Sequence, residues 1–146
     1  MNPTPQQSAE LILKLYELRR DATMREARSW FIAFTPESLD DFLQALTGPD
    51  NAKFRMVATY WDMAASFVNH GAIDERMFND ANGEHIAVFS KVAPFLAAYR
   101  EKTQLPHYLK NLERLVRRLP NAQERMDAVR ARLKAVTAAR AAAAQR

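Results

Sequence analysis

The sequence predicts an all-α protein, a single irregular helical bundle of five to seven helices built around a central helix at about residues 52–70. No stretch alternates apolar and polar residues over the length that a strand needs. Three of the seven prolines fall at first-turn positions of the expected helices, where the missing N–H costs nothing: Pro5, Pro36 and Pro106. Glycines are few and fall where a helix would end or turn: Gly48, Gly71 and Gly83.

The N-terminal third predicts two helices. A long helix should cover about residues 5–34, with a break near Thr23. A shorter helix should follow over about residues 36–46, where Thr35 supplies the N-terminal cap. The Gly48-Pro49 pair then ends it, since proline cannot continue a helix.

The third helix, at about residues 52–70, carries the clearest periodicity. One face repeats at helical spacing and should be buried: Phe54, Val57, Ala58, Trp61, Ala64, Ala65 and Val68. A second apolar row runs beside it: Met56, Tyr60, Met63 and Phe67. One narrow row stays polar: Arg55, Thr59, Asp62, Ser66 and Asn69. A helix that is apolar around most of its circumference is typical of the middle of a bundle.

The remaining chain predicts four more helices. A short one covers about residues 75–79, and a longer one covers about 84–102 with a kink at Pro94, whose ring removes a backbone hydrogen bond. The next should begin at Pro106, and a final alanine-rich helix should cover about residues 122–143.

Charge divides the chain into two parts. Residues 1–99 carry nine Lys/Arg and thirteen Asp/Glu, a net charge of −4, whereas residues 100–146 carry twelve and four, a net charge of +8. We therefore expect a helical core domain over residues 1–119. Residues 120–146 would form a basic C-terminal helix, either docked on the core or used for association.

The basic C-terminal region is the candidate interaction surface. Its members are Arg114, Arg117, Arg118, Arg125, Arg130, Arg132 and Lys134. Such a surface attracts phosphates, but these residues are spread around the helices, and no aromatic side chain follows Tyr108 to stack on bases. The last helix also carries a narrow apolar seam that suits packing on its own core or on a second chain: Ala122, Met126, Val129, Leu133 and Val136.

The polar row of the third helix is the candidate ligand site. Arg55, Thr59, Asp62 and Ser66 could line a pocket, although a solvent-facing stripe or a structural pair explains the same pattern. If the row is buried, Asp62 must be paired, because an isolated buried charge is too costly.

Catalytic and cofactor motifs are missing from the sequence. It contains no nucleophile elbow, no glycine-rich phosphate loop and no dinucleotide fingerprint. The three histidines lie too far apart in sequence for a helical metal pair, and there is no cysteine. We therefore expect no catalytic residue, no cofactor and no metal.

Two segments resemble uncharacterised bacterial and phage families of small helical proteins. In those families an aromatic–acidic pair on a helix precedes a glycine turn and an Ile-Asp-Glu helix start, as in residues 60–65 and 71–75 here. Residues 95–100 have a similar character, and the resemblance spans roughly residues 54–115. It implies an α-helical fold and no site residues. Relatives often begin with a membrane span, which this sequence lacks.

Together these observations predict a non-enzymatic protein–protein interaction or regulatory module, which would form a homodimer through its last helix. The alternatives are a nucleic-acid-associated protein that uses the basic C-terminal region, and an enzyme or small-ligand binder with a pocket along the polar row. The opening residues lack a secretory signal, and no window approaches a membrane span. We expect a cytoplasmic location.

Overall fold

The computed structural model describes residues 2–146, and its regular structure over that range is entirely α-helical. The predicted all-α class is therefore confirmed, but the described chain forms eight helices instead of five to seven. They are α1 (Pro5–Leu18), α2 (Ala22–Ala33), α3 (Leu39–Thr47), α4 (Asn51–Asn69), α5 (Glu75–Ala81), α6 (Glu84–Thr103), α7 (Lys110–Arg117) and α8 (Ala122–Ala144).

The extra helix arises because the expected helix over residues 5–34 breaks after Leu18. The Asp21 carboxylate accepts hydrogen bonds from the N–H groups of Thr23 and Met24, so it caps a new helix, α2. The break lies just before Thr23, close to the position that the sequence indicates.

Two predicted helix starts are wrong. The helix expected from Pro36 begins at Leu39, because the Ser38 hydroxyl, and not Thr35, accepts the capping hydrogen bond. The helix expected from Pro106 begins only at Lys110. Leu109 adopts a left-handed conformation, which interrupts any helix running through it.

Helix α4 buries the whole face that its periodicity predicts, with the seven residues of that face at most 5% exposed. The second apolar row is different. Of this row only Tyr60 is buried, and its hydroxyl donates to the Leu15 carbonyl of α1. Met56, Met63 and Phe67 are 37–39% exposed. The expectation that α4 is enclosed around most of its circumference is therefore wrong along this row.

Packing joins α4 to α2, α3, α5, α6 and α7. Rings from three helices form one aromatic cluster near the start of α4, in which Phe54 contacts Phe31 and Phe42 at centroid distances of 5.3 and 5.4 Å. Helix α6 continues through Pro94. Within residues 2–146, none of the helices combines the length and the apolar composition that a membrane crossing requires.

Helix α8 lies against α6 and α2. Met126 is 1% exposed, and Val129 packs partly buried on the core. The seam of α8 therefore faces its own core through these residues, while Val136, the last seam residue, is exposed. Beyond Thr137 every α8 residue is exposed.

Candidate functional site

The polar row of α4 is divided between two environments. Arg55 and Thr59 line a groove with residues of α3 and α6. Asp62 instead accepts a hydrogen bond from the N–H of Leu112 at 2.9 Å, in the first turn of α7. Helix α7 has no cap from its own preceding residue, so Asp62 caps it from another helix. The Ser66 hydroxyl bonds the Met63 carbonyl. The four residues do not line one pocket.

The histidines do not converge either. His85 is completely buried, and its Nε2 lies 2.9 Å from the Asn79 Oδ1. His70 ends α4, where its Nδ1 contacts the Ser66 carbonyl, and His107 is exposed. In the part of the chain that the structure describes, no three His, Asp or Glu residues form a group that could hold a metal ion.

The candidate basic surface does not form one patch. At the end of α7, Arg117 pairs with Glu113 at 3.2 Å and lies over the Phe89 ring. Arg118 pairs with Glu75 of α5 at 2.6 Å. An arginine that is already paired with a carboxylate of its own chain attracts an anionic ligand less strongly. Arg114, the remaining α7 member, is exposed.

Two further members fasten α8 to the core. Arg130 donates to the Ser90 carbonyl of α6 at 3.2 Å and pairs with Asp127 on its own helix. Lys134 pairs with Glu37, in the segment between α2 and α3. These contacts join α8 to α6 and to the segment between α2 and α3.

The remaining two members, Arg125 and Arg132, lie in a cleft between α2 and α8. The cleft consists of two adjoining hollows of about 420 and 450 Å³, which share Ile32 and Glu84. We use the name arginine cleft for the site formed by its five arginines: Arg25 and Arg28 from α2, and Arg125, Arg132 and Arg140 from α8.

Four arginines of this cleft lack a carboxylate partner. Among residues 2–146, no Asp or Glu oxygen lies within 4.0 Å of the guanidinium nitrogens of Arg25, Arg125, Arg132 or Arg140, which are the members other than Arg28. Like charges that share a cleft repel one another, and within residues 2–146 these four arginines have no ion pair to offset that repulsion.

The one carboxylate that lines the cleft is already occupied. Glu84 accepts two hydrogen bonds from Arg28 Nε, at 2.9 and 3.1 Å, and a third from the Trp61 indole N–H at 2.9 Å. The neighbouring Glu26 of α2 pairs with Lys53 instead. The cleft therefore keeps an excess of positive charge.

The three α8 arginines share one side of their helix. Their spacings of seven and eight residues correspond to about two turns each, so the side chains recur on one face. From residue 125 to residue 140 the stripe is about 22 Å long at 1.5 Å per residue. It is long enough to follow an extended anionic chain.

Sequence reasoning found Arg125 and Arg132 but missed the other three members. The spacing of seven and eight residues on α8 could have shown that Arg140 shares a helix face with Arg125 and Arg132. Arg25 and Arg28 could not be connected with α8 from the sequence, because more than a hundred residues separate Arg25 from Arg140. Only the packing of α2 on α8 brings them together.

Comparison with known proteins gives a family but no activity. A family model described as a domain of unknown function, DUF4760, matches residues 5–119, which span α1–α7 and end before α8. No curated protein and no solved structure matches the chain. Since the matched range covers most of the sequence and includes the residues that suggested an uncharacterised helical family, the chain belongs to the DUF4760 family.

Proposed function

We propose that this protein is a non-enzymatic binding module whose arginine cleft holds the phosphate backbone of a nucleic acid. One observation carries the proposal: four arginines without carboxylate partners line a cleft whose single carboxylate is already engaged by Arg28 and Trp61. A phosphate chain supplies the negative charge that the cleft lacks, and guanidinium groups bind phosphate oxygens through two parallel hydrogen bonds.

The cleft favours contact with the backbone over contact with bases. None of the described residues that line its two hollows is aromatic, so unpaired bases have no ring on which to stack. Binding of this kind depends on phosphate charge, tolerates sequence changes and weakens as salt increases.

Matched pairs of arginines allow a direct test. The double variant Arg125→Gln/Arg132→Gln removes two charges from the cleft, and Arg117→Gln/Arg118→Gln removes two ion-paired charges outside it. Fluorescence anisotropy with a labelled 20-base-pair duplex should show at least about a 10-fold loss of affinity for the cleft variant and a much smaller loss for the control. Equal losses would place the binding surface elsewhere, and no binding by the unmodified protein would remove the proposal.

A second candidate is association through an apolar surface, which fits an interaction module. On α4, Met56, Met63 and Phe67 are 37–39% exposed, and on α1 Leu11 and Leu18 are 39% and 49% exposed. Tyr60 belongs to the same row of α4 and donates to the Leu15 carbonyl of α1, and Leu11, Leu15 and Leu18 recur on one face of α1 at helical spacing. We call the five exposed residues the apolar surface.

A second copy of the chain is the occupant that suits the apolar surface. The polar row beside the α4 residues carries one cation, Arg55, and one carboxylate, Asp62, together with neutral side chains such as Thr59 and Ser66, so the charges of that border sum to zero. A border without net charge adds little repulsion when two copies of a protein with net charge +4 meet. The seam of α8 is engaged with its own core, which favours this surface over the last helix.

Light scattering separates this candidate from the first. Met63→Glu should abolish concentration-dependent dimerisation, whereas Leu105→Glu changes an apolar residue outside the surface that is more exposed than Met63, 49% against 39%, and should leave the dimer intact. A protein that stays monomeric at high concentration, or a dimer that both variants disrupt equally, would contradict association through the apolar surface. Neither result would affect binding at the arginine cleft.

A further inference from the structure

A second concave site lies on the side of α4 that carries Arg55 and Thr59. It is a groove of about 510 Å³ between α3, α4, the C-terminal part of α6 and the segment that leads to α7. Its size falls within the range of pockets that hold small molecules. None of the members of the arginine cleft lines it.

The walls of the groove are largely apolar. Leu43 and Leu46 of α3 line it together with Tyr99 and Tyr108, whose ring centroids lie 4.9 Å apart. Both tyrosines are partly buried in the hydrophobic core. These walls can cover an aliphatic or aromatic body and remove it from water.

Two cationic side chains line the same groove, and neither is neutralised. Within residues 2–146, no carboxylate oxygen lies within 4.0 Å of the charged nitrogens of Arg55 or Lys102. The side-chain hydrogen bond of Arg55 goes to the neutral Asn51 amide oxygen at 3.3 Å. No Asp or Glu belongs to the lining of the groove.

Tyr108 adds a hydrogen-bond donor that stays protonated. Burial, followed by the nearby Tyr99 and the Asp62 carboxylate, raises the pKa of the Tyr108 hydroxyl above its usual range. Asp62 accepts a hydrogen bond from the Leu112 N–H, and neither of its carboxylate oxygens lies within 4.0 Å of the Arg55 guanidinium nitrogens. The groove therefore combines apolar walls, two unpaired cations and a neutral phenol.

From this combination we propose that the groove between α3, α4 and α6 binds a small organic anion, a monocarboxylate with an apolar body. The body would lie between the leucines and the tyrosine rings, and the carboxylate would meet Arg55 and Lys102. A medium-chain fatty acid and an arylalkanoic acid share this chemistry, so the test uses one probe of each type.

Calorimetric titration of the full-length protein with decanoate and with 3-phenylpropanoate tests the site, with decanol as the uncharged probe. At least one of the two acids should bind. The acid with the higher affinity shows whether the groove prefers a ligand with an aliphatic or an aromatic body. Arg55→Gln and Lys102→Gln should each weaken binding about 10-fold, because each removes a charge-assisted hydrogen bond. Arg76→Gln, which removes an exposed cation of α5, should leave the affinity unchanged.

Three outcomes would overturn the proposal: neither acid binds, decanol binds as tightly as decanoate, or Arg55→Gln and Lys102→Gln bind as the unmodified protein does. All three substituted residues are at least partly accessible at the surface, so the variants should keep the melting temperature of the parent. If a variant has a lower melting temperature, its binding is measured at a temperature at which it is still folded. Binding that survives in the variants then locates the acid at another site.

Discussion

His85 should make the fold sensitive to mild acid. The imidazole is completely buried, next to the rings of Phe78 and Trp61 at centroid distances of 5.0 and 5.7 Å. The Asn79 Oδ1 can only accept a hydrogen bond, so Nε2 carries the proton, and Nδ1 has no partner within the described chain. Protonating Nδ1 would create a charge in an apolar site that offers it nothing to bind.

The size of the effect follows from the pKa of His85. Burial, with a smaller contribution from the positive charge of Arg125, lowers this pKa from 6.5 to about 4. Between these values the unfolded chain binds a proton that the folded protein does not bind, so stability is complete above pH 6.5 and decreases as pH falls toward 4. At about 1.4 kcal/mol per pKa unit, the free energy of unfolding should fall by about 2 kcal/mol between pH 7 and pH 5.

Urea denaturation at both pH values, on the unmodified protein and on His85→Gln, isolates this contribution. Glutamine keeps an N–H that can reach Asn79 but has no titrating group, and the carboxylates are common to both proteins. The unmodified protein should lose about 2 kcal/mol more than the variant on going from pH 7 to pH 5. The exposed His107→Gln should behave as the parent does. If His85→Gln loses as much stability as the parent, a charged or solvated His85 is indicated and the reasoning fails.

Three further substitutions probe the fold, each by urea denaturation at pH 7. Asp62→Ala should cost about 1 kcal/mol, the usual value of a helix cap, because the Leu112 N–H loses its acceptor; an unchanged stability would show that the cap is unimportant. Lys91→Met should cost at least about 2 kcal/mol, since the ammonium group donates to three carbonyls at the end of α2 and the substitution leaves them unpaired; a neutral effect would contradict this role. Phe54→Ala should cost about 3–5 kcal/mol, whereas Phe67→Ala, which is 37% exposed, should cost under about 1.5 kcal/mol, and equal costs would refute the assigned burial.

Helical periodicity predicted the buried face of α4 because a single repeating pattern extends over five turns. The same reasoning overestimated how much of α4 is enclosed. Met56, Met63 and Phe67 have the spacing of a buried row, but the neighbouring helix α1 covers only Tyr60 of that row. Periodicity identifies which residues share a face, whereas tertiary packing decides whether that face is covered.

The start of α7 shows a different limit. Pro106 offered a favourable first-turn residue, yet the helix starts four residues later, after the left-handed Leu109. Its cap comes from Asp62, about fifty residues earlier in the chain. Neither the backbone conformation nor a cap from a distant helix can be read from the local sequence.

The candidate basic surface could be predicted only in part, because it too depends on contacts between segments that are distant in sequence. The positive charge of the C-terminal region is evident in the sequence, but which arginines are neutralised depends on acidic residues from other helices. Arg118 pairs with Glu75 and Lys134 pairs with Glu37. Arg125 and Arg132 instead line the same hollow of the arginine cleft. Contacts between distant segments therefore decided which of these charges remain available to a ligand.

The salt dependence of duplex binding tests the role of the arginine cleft most directly. If its four unpaired arginines each neutralise one phosphate, the logarithm of the affinity should fall against the logarithm of the salt concentration with a slope of about −4. In Arg125→Gln/Arg132→Gln the slope should decrease to about −2, because two contacts are lost. A slope near zero, or a slope that the cleft variant leaves unchanged, would contradict nucleic-acid binding at this site.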